Sequence, residues 1–227
     1  MDRVPEPELM LYEEQVRAYA SADFSEPHSR FVALLKERLP QLPSVGRALD
    51  LGCGPGDISR RFARAFSDWT VDAVDGSPAM IELERRMTVE AGLTSHIELH
   101  ELVLPTYSLP HDSYTLIFSN SLLHHLSDPG VLWSSVRRWA QPSSSLFVMD
   151  LLRPSSQAAA HALVEQYAAE EPEILRDEFL NSLLAAYRPT EVQSQLQAVG
   201  LDHLTLEVIS DRHFIVWGLV GKDESAA

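Results

Sequence analysis

The segment Ala48–Gly56, which reads Ala-Leu-Asp-Leu-Gly-Cys-Gly-Pro-Gly, constrains this chain more than any other. The apolar stretch Arg47–Leu51 has the character of a short strand, and it runs directly into glycines. Gly52 and Gly54 carry no Cβ, so a ligand can lie against bare backbone at that turn. Ile58, Phe62 and Phe66 follow at helical spacing. The helix they define directs free N–H groups and the positive end of its dipole at whatever occupies the turn.

The same strand-then-helix pattern repeats downstream. Thr70–Val74, Ile97–Glu101, Tyr114–Ser119 and Leu146–Leu151 read as strands. Between them, Ser77-Pro78 opens a helix with a capping serine and a proline in the first turn. Met80, Leu83 and Met87 form the expected buried stripe of that helix, and Gly92 ends it. A later helix turns Leu132, Val136 and Trp139 inward. Such alternation calls for a parallel sheet covered on both faces.

The two ends differ from this core. Leu11–Ala20 reads as a helix, and a second begins near Pro27 with Phe31, Leu34, Leu35 and Leu39 on one side. Pro40–Gly46 is a linker. Ser155–Tyr187 is two helical segments without a strand, inserted after the fifth strand, and Thr190–Val199 is a helix that stops at Gly200. Leu204–Ile209 and Phe214–Val220 are joined only by Ser210–His213, which forces an antiparallel pair. The expected fold is α/β: a doubly wound, mostly parallel seven-stranded sheet with a C-terminal antiparallel hairpin and a helical lid. The expected division is an N-terminal helical cap, 1–46, and one domain, 47–227, carrying the insertion 155–187.

Taken together, Ala48–Gly56, Asp75, Ser119–Leu126 and the terminal hairpin resemble the class I S-adenosylmethionine-dependent methyltransferases across nearly the whole chain. The resemblance implies S-adenosylmethionine as cofactor, S-adenosylhomocysteine as product, and methylation of O, N or C on a small metabolite. It places the methionine moiety on Gly52 and Gly54, with Asp50 and Asp57 suited to a cationic sulfonium and amino group. Asp75, followed by Gly76, ends the second strand, where a carboxylate can accept both ribose hydroxyls. Met80 is placed on the adenine or in the core. Where the family carries an acidic residue after strand three, this chain has His100-Glu101-Leu102, so Glu101 is the candidate acceptor for the adenine amino group and the Leu102 backbone its donor. Asn120 lies at the carboxyl end of strand four, facing cofactor or substrate. Tyr19 belongs to the expected cap and is assigned to the cofactor side.

A dinucleotide fold is the rival reading, since it also follows a strand with glycines. Its fingerprint needs a third small residue where this chain has Asp57, a carboxylate that would repel a pyrophosphate. Charge narrows the partners further. With 18 Lys+Arg against 33 Asp+Glu the net charge is −15, and no basic cluster is present to neutralise phosphates. Nucleic acid and anionic membrane are therefore not expected partners. No apolar run is long enough to span a bilayer. A single cysteine, Cys53, suits a reducing cytoplasm.

His124 and His125 invite a metal. Adjacent residues on a helix point about 100° apart, so they rarely ligate one ion; with one cysteine and no second histidine pair at ligand spacing, no metal is expected here. His124, nearer the strand end, is the candidate general base. Methyl transfer needs a base only if the acceptor arrives protonated. Tyr12, Tyr19 and Phe24 from the cap, and Tyr167, Phe179, Tyr187 and Arg188 from the insertion, are candidates to wall the substrate pocket. Asp211-Arg212-His213 reads as turn chemistry and solvated charge. A binding protein that keeps the cofactor pocket without chemistry is the alternative from another class. Nothing in the sequence fixes the oligomeric state.

Overall fold

The computed structural model describes residues 1–6, 25–106 and 108–221. The expected helix Leu11–Ala20, with Tyr12, Tyr19 and Phe24, and the tail Lys222–Ala227 lie outside the described residues.

Seven strands form one sheet: β1 (Gly46–Leu51), β2 (Trp69–Asp75), β3 (Ile97–Glu101), β4 (Tyr114–Asn120), β5 (Ala140–Leu151), β6 (Thr205–Val208) and β7 (His213–Leu219). Their order is β3-β2-β1-β4-β5-β7-β6. The pairs from β3 through β5 are parallel, and β7 runs antiparallel to both β5 and β6. This is the expected doubly wound α/β fold with its terminal hairpin. The order reverses between β1 and β4, and an open parallel sheet binds ligands beyond the strand ends at such a switch point.

Helices α1 (Ser25–Arg38), α2 (Asp57–Ala65) and α3 (Pro78–Glu90) cover one face, and α4 (Gly130–Trp139) and α7 (Pro189–Ala198) the other. Strand alternation divides the core accordingly. Ala48, Phe118 and Phe147 pack against Phe31, Leu35 and Phe62, while Leu49, Ile117 and Val148 pack against Leu132, Val136 and Leu196. Phe31 meets Phe147 edge to face at 5.0 Å, a favoured aromatic geometry. Trp69, Trp133 and Trp139 are fully buried. The insertion after β5 folds as α5 (Gln157–Tyr167) and α6 (Glu173–Ala185), with its own small apolar cluster of Leu163, Val164 and Leu183.

The buried stripe of α3 is not the one expected. Met80 is buried, but Met87 is exposed, and the inner face continues through Ile81, Glu84 and Thr88. Apolar periodicity missed this because the buried carboxylate of Glu84 is held by Arg60, and a hydrophobic pattern cannot show a paired charge. Ser77 caps the helix as expected, its hydroxyl accepting from the Met80 N–H.

Candidate functional site

A cavity of about 440 Å³ opens beyond the carboxyl ends of β1, β2, β4 and β5, within the range of about 300–1,000 Å³ usual for small-ligand sites. The glycine loop forms its floor. Gly52, Gly54 and Gly56 all have left-handed backbone, at φ 74°, 55° and 76°. The N–H groups of Gly52 and Cys53 both reach the Val74 carbonyl, pinning the loop to the end of β2. At Gly54 a built Cβ meets nothing within 4 Å, so this backbone is open to the cavity. At Gly56 it would lie 0.7 Å from Glu84 Oε2. That carboxylate accepts from Arg60 Nη1 at 3.0 Å, and the same nitrogen donates to the Pro55 carbonyl at 2.7 Å. Burial pushes the Glu84 carboxyl up to about 7, against the pull of the Arg60 cation. The loop is thus braced to α3 through a buried ion pair that fills the space a side chain at position 56 would need.

Three acids surround the loop in different states. Asp50, at the end of β1, is fully buried and accepts from Ser59 Oγ at 2.5 Å. Burial, reinforced by the negative charges of Glu84 and Asp75, pushes its carboxyl up to about 8. Asp75 accepts from the N–H groups of Gly54 at 2.9 Å and Ser77 at 2.8 Å, and burial raises it as well. It therefore shapes the loop as well as facing the cavity. Burial also acts on Asp57, but hydrogen bonds from His28 Nδ1, at 2.8 Å, and from Arg61 outweigh it and hold the carboxyl down at about 2.

Because the Asp57 value in the fold lies below the ordinary 3.8, its contribution to stability is complete above that pH and is lost as pH falls toward 2. Thermal unfolding followed from about pH 5 to about pH 2.5 should show wild type losing more Tm than Asp57→Asn. Parallel curves would remove this assignment.

The opposite wall comes from the end of β4 and the 3₁₀ turn Leu123–His125. Ser121 has φ 56°, a left-handed conformation uncommon outside glycine, and turns the chain sharply so that Asn120 and Leu122 both face the cavity. The Asn120 amide donates to Ser121 Oγ. His124 is buried, and its Nδ1 lies 2.6 Å from Asp150 Oδ1 at the end of β5. Burial pulls the His124 imidazole down, but the Asp150 carboxylate outweighs this and raises it above its ordinary value. Asp150 is correspondingly held low and also accepts from the Leu123 and Leu151 N–H groups.

The structure gathers Asp50, Gly52, Gly54, Asp57, Asp75, Gly76, Met80, Leu102, Asn120 and His124 around one cavity. Tyr19 lies outside the described residues. Glu101 does not line the cavity: it is exposed at the end of edge strand β3, and the backbone carries Leu102 inward in its place. The Leu102 N–H is already bonded to the Asp75 carbonyl, so it is not a free donor for adenine. Tyr167 and Phe179 reach the cavity, whereas Tyr187 is buried away from it, bonding the Leu126 carbonyl. Arg188 is likewise turned aside, to the Met1 carbonyl.

Sequence reasoning missed several residues that line the cavity or hold the residues that do. Arg212 and His213 line the cavity instead of forming a solvated turn, because β7 returns beside β5 and brings its first residues over the strand ends. Burial, with Arg212 nearby, pulls His213 down to about 4. Asp150 was legible in principle, as an acid at the carboxyl end of a parallel strand. Glu6 was not. It approaches from residues 1–6, where Arg3 donates to the carbonyls of Ala185, His124 and Leu126.

Residues 48–143 match the family model described as a methyltransferase domain. That match covers less than half of the chain and makes residues 48–143 similar to methyltransferase domains. Dimethylglycine N-methyltransferase of Parasynechococcus marenigrum is 30% identical over 134 residues, 58% of this chain and 48% of that protein. Ubiquinone biosynthesis O-methyltransferase of Xylella fastidiosa is 26% identical over 185 residues, 81% of this chain and 70% of that protein. The chain spans about half the length of the first curated relatives it matches. In fold, the chain is similar to a SAM-dependent methyltransferase from Aquifex aeolicus, with TM-score 0.67 at 16% identity over 93% of this chain and 100% of that one. Among the described residues, no helix is long and apolar enough to cross a membrane.

Proposed function

We propose that this chain transfers a methyl group from S-adenosylmethionine to a small organic acceptor, in the cytoplasm. The observation that carries this reading is the convergence of an open glycine backbone, the buried Asp50, the partly buried Asp75 and the buried His124 on one cavity. The residues suit the cofactor. Gly54 leaves room for a ligand against the loop, and Asp50 and Asp75 offer carboxylates to an ammonium and a ribose. The acidic lining, with Asp57, has no use for a pyrophosphate.

S-adenosylmethionine supplies an electrophilic methyl group on a sulfonium. The chain contributes binding, alignment and exclusion of water, which suffice for an in-line displacement. Asp50, Asp75 and the loop hold the donor, and Asn120 faces it from β4. Among the described residues, Glu26, Pro27 and His28 border the cavity on the N-terminal side, and the insertion 155–187 acts as a lid, with Phe179 and Tyr167 toward the acceptor. His124 takes the acceptor's proton at Nε2 while Asp150 holds its Nδ1, so the imidazole is oriented and its cationic form stabilised. The small-molecule acceptor is supported by the size of the cavity and by the named relatives' substrates.

Calorimetry with S-adenosylmethionine and S-adenosylhomocysteine tests the first half of this reading; absence of binding by both would end it. Transfer of labelled methyl groups into a metabolite pool tests the second, and a chain that binds but never transfers would be a sensor or partner subunit. Asp75→Ala is expected to weaken cofactor binding by about 1.5–3 kcal/mol. An unchanged dissociation constant would remove its role.

Asp50 adds a signature of its own. With its carboxyl near 8 it is protonated at neutral pH, and an ammonium placed against it favours the ionised form. Cofactor binding at about pH 7 should therefore release about one proton. The binding enthalpy would then change with the ionisation enthalpy of the buffer. A buffer-independent enthalpy would mean that no cation reaches Asp50.

A further inference from the structure

We propose that Glu6, His124 and His125 form a binding site for one divalent cation of the zinc type, at the wall of the cavity. The expectation of no metal rested on helical geometry and on the lack of a second histidine pair or cysteine set, whereas His124 and His125 stand on a 3₁₀ turn with the remote Glu6 beside them. His124 Nε2 lies 3.5 Å from Glu6 Oε1, and His125 Nδ1 lies 3.3 Å from the same oxygen. With metal–ligand bonds of about 2.0–2.1 Å, the edges of a tetrahedral site are about 3.3 Å, so a cation among these three atoms needs little movement. All three lie within 4.8 Å of one another.

Two further observations point the same way. The Glu6 side chain keeps only 7% of its exposure, and its Oε1 has no hydrogen-bond donor although it is aimed between the two rings. A buried carboxylate oxygen left in that condition is costly unless a cation or proton completes it. His124 also has the outer partner that metal-bound imidazoles carry. Asp150 holds Nδ1, which directs the Nε2 lone pair at Glu6. Two imidazoles and one carboxylate are a borderline donor set that suits zinc better than magnesium or calcium. Both histidines line the cavity, so the site lies at its wall.

The site goes beyond the methyl-transfer reading and does not depend on it. It competes with the proposed base for one lone pair, so a coordinated His124 takes no proton and zinc suppresses turnover. Equilibrium dialysis of chelator-stripped protein against zinc chloride should give one zinc per chain. Glu6→Gln and His125→Gln should each weaken that binding by at least about 100-fold, more than loss of an outer partner costs. Cobalt(II) in place of zinc should give the visible spectrum of a tetrahedral site, which Glu6→Gln abolishes. Unfolding temperatures recorded alongside separate lost ligation from lost fold. Absence of stoichiometric zinc would overturn the proposal and leave protons holding the cluster. So would zinc binding that survives Glu6→Gln but is lost in Glu98→Gln, since Asp72, Glu98 and His100 form the other group with suitable spacing among the described residues.

Discussion

Gly56→Ala is expected to destabilise the folded chain by about 4–7 kcal/mol, a large share of the roughly 5–15 kcal/mol a domain of this kind possesses. Two costs add. A side chain at φ 76° accounts for about 1–2 kcal/mol. The remainder comes from Glu84, whose carboxylate occupies the space a Cβ would take and must leave Arg60, and breaking a buried pair costs about 3–5 kcal/mol. Gly54→Ala is the control. It has the same left-handed backbone but meets nothing, so it should lose only about 1–2 kcal/mol while placing a methyl group in the cavity proposed for the cofactor. Urea unfolding of both variants measures the difference. Equal destabilisation would mean that Glu84 moves aside freely and does not brace the loop.

The second large effect concerns rate. His124→Ala should lower the methyl-transfer rate by about 100- to 10,000-fold if the imidazole is the base, with little change in cofactor affinity. A base must be deprotonated to act, and Asp150 holds His124 above its ordinary value. The wild-type rate should therefore rise with pH above the ordinary imidazole value of 6.5, and the residual rate of the variant should lack that rise. Single-turnover measurements across pH check both points. A variant that keeps the wild-type rate would leave the histidine as packing for Asp150 and assign deprotonation to the acceptor itself.

Much of the fold was legible because its determinants are local. Ala48–Gly56 marks a strand meeting a glycine turn, Ser77-Pro78 marks a capped helix, and the short Ser210–His213 link admits only an antiparallel pair. The positions of Gly52, Gly54, Asp50 and Asp75 followed from the same local signals, since each sits at a strand end. What escaped the sequence depends on pairing across distance. Glu84 reads as a surface residue until Arg60 is placed beside it, and Met87 then turns out to solvent. Glu101 and Leu102 exchange places relative to the cavity because edge strand β3 ends between them. Arg212, His213 and Glu6 arrive from the two ends of the chain, and no periodicity encodes which remote segment closes over a pocket.

All four tryptophans lie within the described residues, and none of them lines the cavity. Trp69, Trp133 and Trp139 are locked in the two cores, and Trp217 sits on β7 between the neighbouring strands. The protein's intrinsic ultraviolet emission thus reports on packing of the sheet and hardly at all on occupancy of the pocket. An optical unfolding curve can be recorded at any cofactor concentration without a ligand signal beneath it, so its shift with concentration reads affinity directly.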